Sequence, residues 1–336
     1  MVNNILIYAD DDLSIGSNRI FAFNLYQDLL SLGLKVDCGT NFDPTKYDCV
    51  IYGKGKTKNL KFDQTSKIKG LIQPTDFSKK LLEESLCADF WIVGSYDEMD
   101  HYLSYKKEIF LFPLIERYKI SRKYHEDKDE IIIGYHGNKL HLETLSPNIV
   151  SALEKISSNY KIRFKAIYDI KKLGLWHKSR PKINIQDIQW TFENMNEFLS
   201  SVDIGITPFL SPMPIFYKAI AHSFTRLFYP NIGFNPQNIF LHYKNTTNAG
   251  RIFVFQQAGI PVVAELCPAA TSAIPNEQYG FIAYETEGWF RAIELLCKDA
   301  LLRNKISQNA YTFFSTTHDI ISFSKKIANK LTNFEV

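Results

Sequence analysis

The sequence predicts an α/β protein built from two doubly wound domains, each a parallel sheet with helices on both faces. Three observations lead there. Asn248–Glu265 (NAGRIFVFQQAGIPVVAE) reads as a helix running straight into a buried strand, an order that belongs to helix-covered parallel sheets. The N-terminal half repeats strand, loop, helix and strand from Asn4 onward. Between the halves, Glu116–Asp129 (ERYKISRKYHEDKD) is charged and has no apolar period, as a linker would. The expected boundaries are a first domain over 1–118, a linker over 119–130, a second domain over 131–314, and a C-terminal helix over 315–336 that crosses back to the first.

The bulk numbers agree. The chain has 336 residues, 45% hydrophobic and 22% charged, enough for two domains of about 100–200 residues each. Its net charge of +3 comes from 39 basic and 36 acidic residues, too even a balance for a nucleic-acid binder. Cys38, Cys49, Cys87, Cys267 and Cys297 stand singly, which argues for reduced thiols in a cytoplasmic chain and against a zinc site. The first residues lack the basic and apolar regions of a secretory signal. No apolar run reaches the roughly 20 residues that span a bilayer. The abundance of Lys, Asn and Ile fits a bacterial source.

Asn4–Ala9 is a buried strand, and Ile20–Leu32 carries apolar residues at helical spacing, with Gly33 closing the helix. Gly16 lies in the loop between them. Asp10, Asp11 and Asp12 close the first strand, where acidic residues cap or solvate a helix start; no metal site is expected there or elsewhere. Tyr47–Tyr52 is the next strong strand. Lys54–Lys69 reads as a basic loop with a short helix, and Gly70–Gln73 as a short strand. Phe77–Ala88 is a helix, Phe90–Gly94 a buried strand, and Ser95 caps the helix that follows. Ile109–Leu114 ends this half.

Ile131–Ile133 opens the second half and runs into Gly134-Tyr135-His136-Gly137-Asn138, followed by a helix over Leu142–Leu153. The glycines permit close backbone approach, and His136 and Asn138 can donate to a phosphate. Ile162–Tyr168 and part of Ile183–Trp190 are strands, Phe192–Ser201 is an amphipathic helix, and Asp203–Pro208 is a buried strand. In the Asn248–Glu265 stretch, Ala258-Gly259 ends the helix and Ile260–Ala264 is the strand. The helix start offers Asn248, Ala249, Gly250 and Arg251: free amides, small residues and one fixed positive charge, which suit a phosphate. Cys267–Ser272 is a loop at that strand's carboxyl end, and Tyr279–Ala283 is a further strand. Helices over Glu287–Cys297, Asp299–Phe313 and Ser315–Asn333 complete the chain.

A basic residue, seven residues, then Gly-x-Pro-Val-Val resembles the donor-binding segment of GT-B glycosyltransferases, in particular the retaining, family-four-like enzymes. Asp203–Pro208 (DIGITP) and Tyr279–Ala283 resemble further elements of that family. The resemblance implies two Rossmann-like domains facing across a cleft, with the nucleotide on the second. It places Arg251 on the residue that holds the donor diphosphate, assisted by His136 and Asn138. It assigns nucleotide-sugar contacts to Gly16, Gly137, Asn138, Ile188, Trp190, Asn248, Gly250, Arg251 and Thr271, with Arg251 and His136 catalytic. Two departures stand out. Val254 occupies the position of the glutamate that holds the ribose, and Phe209–Ser211 lacks the acid often found at the sugar end.

The implied activity is a hexosyltransferase-type, metal-independent, retaining transfer from a nucleotide sugar to a bacterial surface glycan or lipid-linked precursor. It uses the donor as substrate and no resident cofactor. The departures favour an alternative, a non-catalytic GT-B-like binding or scaffold subunit. Residues 210–245 form an insertion rich in aromatic and basic residues, with three readings open: an acceptor-binding lid, a peripheral contact with the inner face of the membrane, or an added packing element.

Overall fold

The computed structural model describes residues 2, 4–76, 78–118, 120–212, 241–243 and 247–333. It divides into one unit of residues 1–117 and 317–336 and a second of residues 118–316.

The first unit is a six-stranded parallel sheet in the order β2-β1-β3-β4-β5-β6. Its strands are β1 (Ile5–Tyr8), β2 (Val36–Cys38), β3 (Cys49–Tyr52), β4 (Ile68–Ile72), β5 (Phe90–Val93) and β6 (Glu108–Leu111). The helix expected from Ile20 begins as a π-helical run over Asn18–Asn24 and continues as an α-helix over Leu25–Ser31. Gly33 follows it at φ 86°. Ser95 caps the helix Tyr96–Tyr102, its hydroxyl accepting from the Glu98 N–H at 3.2 Å. One face of the sheet packs Ile5, Ile7, Phe90 and Ile92 against Leu25 and Leu29, and against Phe323, Ile327 and Leu331 of the C-terminal helix Ile320–Asn333. That helix therefore belongs to the first unit's core. The other face buries Leu6, Val50, Tyr52, Leu71, Trp91 and Val93. Phe77, expected to open a helix, lies outside the described residues; the helix runs over Lys79–Ser85.

The second unit holds β7 (Ile131–His136), β8 (Ile162–Tyr168), β9 (Ile185–Gln189), β10 (Ile204–Thr207), β13 (Val262–Glu265) and β14 (Phe281–Ala283). All pair in parallel, in the order β14-β13-β10-β7-β8-β9. The chain starts at β7 and moves outward through β8 and β9. It then returns to β10 on the other side of β7 and moves outward again. The order thus reverses between β7 and β10, and open sheets of this kind bind ligands beyond the carboxyl ends of the strands that flank such a reversal.

Two expectations need correction here. The helix expected over Leu142–Leu153 is two helices, Lys139–Glu143 and Pro147–Asn159. Pro147 cannot continue a helix but suits its first turn, and the Ser146 hydroxyl caps that turn by accepting from the Asn148 N–H at 3.2 Å. Cys267–Ser272, expected as a loop, contains the short helix Pro268–Ala273.

The linker expectation also changes. Residues 120–130 are anchored on the second unit. Lys123 and Lys128 each place Nζ 2.9 Å from the fully buried Asp203 carboxylate. His125 is 1% exposed, with Nε2 donating to the Gly259 carbonyl at 2.8 Å. The buried Arg303 donates to the Glu126 carbonyl at 2.7 Å. Burial alone would raise the Asp203 pKa, but neighbouring His125, the Lys123 ammonium and the Ile132 N–H outweigh it and hold the carboxyl well below its usual range. Two of the charges that made this stretch look like a linker, Lys123 and Lys128, are partners for one buried acid.

The insertion is described only at its base, where β11 (Leu210–Pro212) and β12 (Leu241–Tyr243) pair antiparallel. The lid, membrane and packing readings of 210–245 otherwise fall outside the described residues.

Gly259 joins the 120–130 segment to the helix Gly250–Gln257. It sits at φ 70°, and a Cβ there would meet the Lys123 backbone oxygen at 3.1 Å and nitrogen at 3.2 Å. Gly259→Ala is expected to lower unfolding stability by about 1–3 kcal/mol, combining left-handed strain with that crowding. Urea unfolding of the variant checks this, and an unchanged midpoint would count against it.

Candidate active site at the strand reversal of the second unit

The site is built where β7 and β10 end. β7 finishes at His136 and leads into Gly137 and Asn138. β10 finishes at Thr207, followed by Pro208 and Phe209. Against these two exits rests the first turn of the Gly250–Gln257 helix. An amphipathic face does not dock it there, because the helix buries Ile252, Phe253, Val254, Phe255 and Gln256 alike. Specific polar contacts fix its start instead. The His136 Nε2–H donates to the Arg251 carbonyl at 3.0 Å. The Arg251 Nη2 donates to the Pro208 carbonyl at 2.5 Å. The Asn248 side-chain oxygen accepts from the Gly250 N–H at 3.3 Å.

The guanidinium lies between aromatic rings, its central carbon 4.7 Å from the Phe209 ring centroid and 5.7 Å from that of Tyr135. Both distances are within cation–π range. Nη1 is buried and has no hydrogen-bond partner among the described residues. A buried donor of this kind costs about 1–3 kcal/mol while unpaired, so the site is suited to an anionic or carbonyl acceptor. Gly137 is required by this packing. It sits at φ 138°, and a Cβ would meet the Tyr135 hydroxyl at 2.9 Å and the Arg251 Cδ at 3.0 Å.

His136 is buried and stacks edge-on against Phe255 at 4.8 Å. Burial pushes its pKa down to about 4, against the hydrogen bond to the Arg251 carbonyl, with the Arg251 charge pushing the same way as burial. It is therefore a neutral donor near pH 7, and its Nε2 proton goes to the backbone of Arg251.

The other expected site residues are spread more widely. Asn138 caps the Lys139–Glu143 helix, its side chain accepting from the Leu140 N–H at 2.9 Å, while its carbonyl accepts from the Tyr135 hydroxyl at 2.7 Å. Ile188 and Trp190 lie at the end of β9, two strands from β7. The Trp190 N–H donates to the Tyr168 carbonyl at 2.8 Å, and its ring stands 5.2 Å from Phe192. Thr271 is exposed on the Pro268–Ala273 helix and donates to the Pro268 carbonyl at 2.8 Å. Gly16 belongs to the first unit and, with Ser17, forms the helical residues just ahead of the π-helical run there. A Cβ at Gly16 would find its nearest neighbour at 3.7 Å, so crowding does not demand a glycine. Asp10 pairs with Lys56 Nζ at 2.6 Å, and Asp12 accepts from the Ser14 N–H and hydroxyl.

Sequence reasoning missed Tyr135, Phe209 and Glu265. Tyr135 and Phe209 flank residues already singled out, and their role follows from the reversal rather than from any motif. Glu265 closes β13 fully buried, and its carboxylate accepts from the Phe209 N–H at 2.8 Å. The acid looked for within Phe209–Ser211 is absent from that segment, yet a carboxylate from the neighbouring strand is bonded to its backbone.

No protein-family model and no curated protein matches the sequence. Solved structures do match in fold. HepE from Anabaena, in complex with UDP and glucose, superposes with a TM-score of 0.63 at 13% identity, covering 98% of this chain and 100% of HepE. WaaG, a glycosyltransferase involved in lipopolysaccharide biosynthesis, gives 0.57 at 10% identity, covering 98% of this chain and 100% of WaaG. S. aureus TarM, in complex with fondaparinux, α-GlcNAc-glycerol and UDP, gives 0.61 at 14% identity; 93% of this chain matches, over only 59% of TarM. These are nucleotide-sugar glycosyltransferase structures of two Rossmann-like domains.

The chain has the GT-B fold. Within this GT-B chain the strand reversal that carries Arg251 belongs to the second of the two domains. Val254, at the glutamate position of the family pattern, is 1% exposed and forms part of the helix packing. Among the described residues no helix is long and apolar enough to cross a membrane.

His136 makes the second unit's stability depend on pH. Its folded pKa of about 4 lies below the ordinary 6.5, so the unfolded chain takes up a proton that the folded chain does not. That contribution is complete above pH 6.5 and is lost as pH falls toward 4. Between pH 7 and 4.5 the loss should reach roughly 2–3 kcal/mol. His136→Gln, which can still donate to the Arg251 carbonyl, should remove this slope in urea unfolding at the two pH values; an identical slope in the variant would exclude His136 as its source.

Proposed function

We propose that this chain is a glycosyltransferase moving a hexose from a nucleoside-diphosphate donor to a bacterial surface glycan or its lipid-linked precursor. The observation that carries the reading is the Arg251 guanidinium, held at a helix start over the strand reversal with Nη1 buried and unpartnered. The fold shared with HepE, WaaG and TarM supports it.

In this reading the donor diphosphate lies against the Arg251 guanidinium and the amides of the Gly250–Gln257 helix start. As the bond from the sugar anomeric carbon to the diphosphate breaks, negative charge grows on the leaving oxygen. Arginine remains charged throughout and can grip two phosphate oxygens. Its aromatic and carbonyl contacts hold it in place before the reaction begins, which is how fixed charge lowers a barrier. His136 serves by holding the Arg251 backbone, and its neutrality avoids a second buried charge. Transfer is taken as retaining and metal-independent, with no resident cofactor and with the offsetting charge supplied by arginine. A lipid-linked acceptor would place the reaction at the inner face of the membrane.

The second reading, a binding or scaffold subunit, draws on Val254, whose buried apolar side chain offers a ribose no hydrogen bond. A thermal-shift screen of nucleoside diphosphates and their sugars separates the two. The transferase reading expects at least one nucleotide sugar to raise the melting temperature, since a ligand that binds only the folded state stabilises it. Arg251→Ala should abolish that shift and reduce transfer at least 100-fold, with Arg251→Lys intermediate. Transfer at an undiminished rate in Arg251→Ala would remove this residue from the reaction.

A further inference from the structure

The strand order of the first unit also reverses, between β1 and β3. Tyr8 and Tyr52 are the last residues of these strands, sit opposite one another in register, and hold their rings 5.7 Å apart. The connection from β2 to β3 carries a single short helical turn, Pro44–Lys46, in place of a covering helix. That turn and the helix Thr57–Phe62 stand beside the half-buried Tyr8 and the buried Tyr52. The result is a cavity of about 650 Å³, within the size range of small-ligand sites.

We infer that this cavity binds a neutral saccharide. Its lining combines aromatic rings with uncharged hydrogen-bonding groups. Phe62 stands at the rim with 68% of its surface exposed, so its ring face is accessible to a ligand in the cavity. Asn59 and Gln64 are exposed beside it and make no side-chain hydrogen bond among the described residues. Each amide both donates and accepts, as sugar hydroxyls require.

The charges in the lining argue against a phosphate or nucleotide. The Asp63 carboxylate is occupied internally, accepting from the Tyr52 hydroxyl at 2.8 Å, from the Thr65 N–H and hydroxyl at 2.9 Å, and from the Ser66 N–H at 3.1 Å. Lys58 alone supplies positive charge among the lining residues. Phosphate sites bring several cations or helix-end amides to one point. The exposed Phe62 ring for the C–H face of a sugar, amides for its hydroxyls and near-zero net charge fit an uncharged glycan. The inference is independent of the role given to Arg251, since none of the residues it uses belongs to the second unit.

The test uses the full-length chain and saturation-transfer-difference NMR with four probes: maltotriose, cellotriose, mannotriose and triacetylchitotriose. The expected result is a saturable signal with at least one probe. Phe62→Ala and Asn59→Ala should each weaken it at least tenfold, with melting temperatures unchanged because both side chains are exposed. Arg251→Ala should leave it intact. Three outcomes overturn the inference: no saturable signal with any probe, binding that survives both cavity substitutions, or a signal displaced by inorganic phosphate.

Discussion

The second unit depends on how one short helix is seated. The Gly250–Gln257 helix is buried all round, and its eight residues are too few to be stable alone. Two hydrogen bonds of opposite polarity hold its first turn. His136 donates into the Arg251 carbonyl, and the Arg251 side chain donates into the Pro208 carbonyl. One residue is thus tied by its backbone to the end of β7 and by its side chain to the end of β10. Those are the two strands between which the sheet reverses, so the contact that positions the helix also positions the charge.

At the opposite end of the same helix a second polar assembly performs the structural work. Gly259 turns the chain into β13 and presents its carbonyl to His125, beside Asp203 with its two lysines. A buried acid with two cations contributes little net stability compared with a well-packed apolar substitute, but losing one partner leaves an uncompensated charge. The assembly therefore specifies where residues 120–130 lie more than it adds stability. The helix is pinned at its start by the site and at its end by this ion cluster, with apolar packing between.

The fold was legible because its signal is redundant. Continuous apolar β-branched runs such as Ile131–Ile133 and Ile260–Ala264 can only be strands covered on both faces, and their alternation with helices leaves little choice of topology. Boundaries failed where one residue decides, as at Pro147, where a single proline divides an apolar stretch that reads as continuous. Residues 120–130 failed for a different reason. Charged residues read as solvated unless a buried counter-charge is known, and Asp203 lies far away in sequence, directly before the buried strand β10. Arg251, Gly137 and His136 could be singled out because they sit at strand and helix ends. Their mutual contacts could not, since those depend on β7 and β10 being neighbours, a fact of topology and not of spacing.

Glu265 shows how the same limit affects function. Read linearly, the exit of β10 lacks an acid, and Val254 lacks the polar group expected one turn into the helix. Both absences weaken a transferase reading if each position is judged alone. In the folded chain, β13 lies beside β10, and its terminal carboxylate accepts from the Phe209 N–H. Negative charge is thus available beside the same backbone from another strand, while Arg251 supplies positive charge across it. A site of this kind is defined by which strand ends are adjacent. Substituting one side chain by another from a neighbouring strand changes the sequence pattern completely and the arrangement of charge far less, so a departure from a linear motif is weak grounds for assigning loss of chemistry.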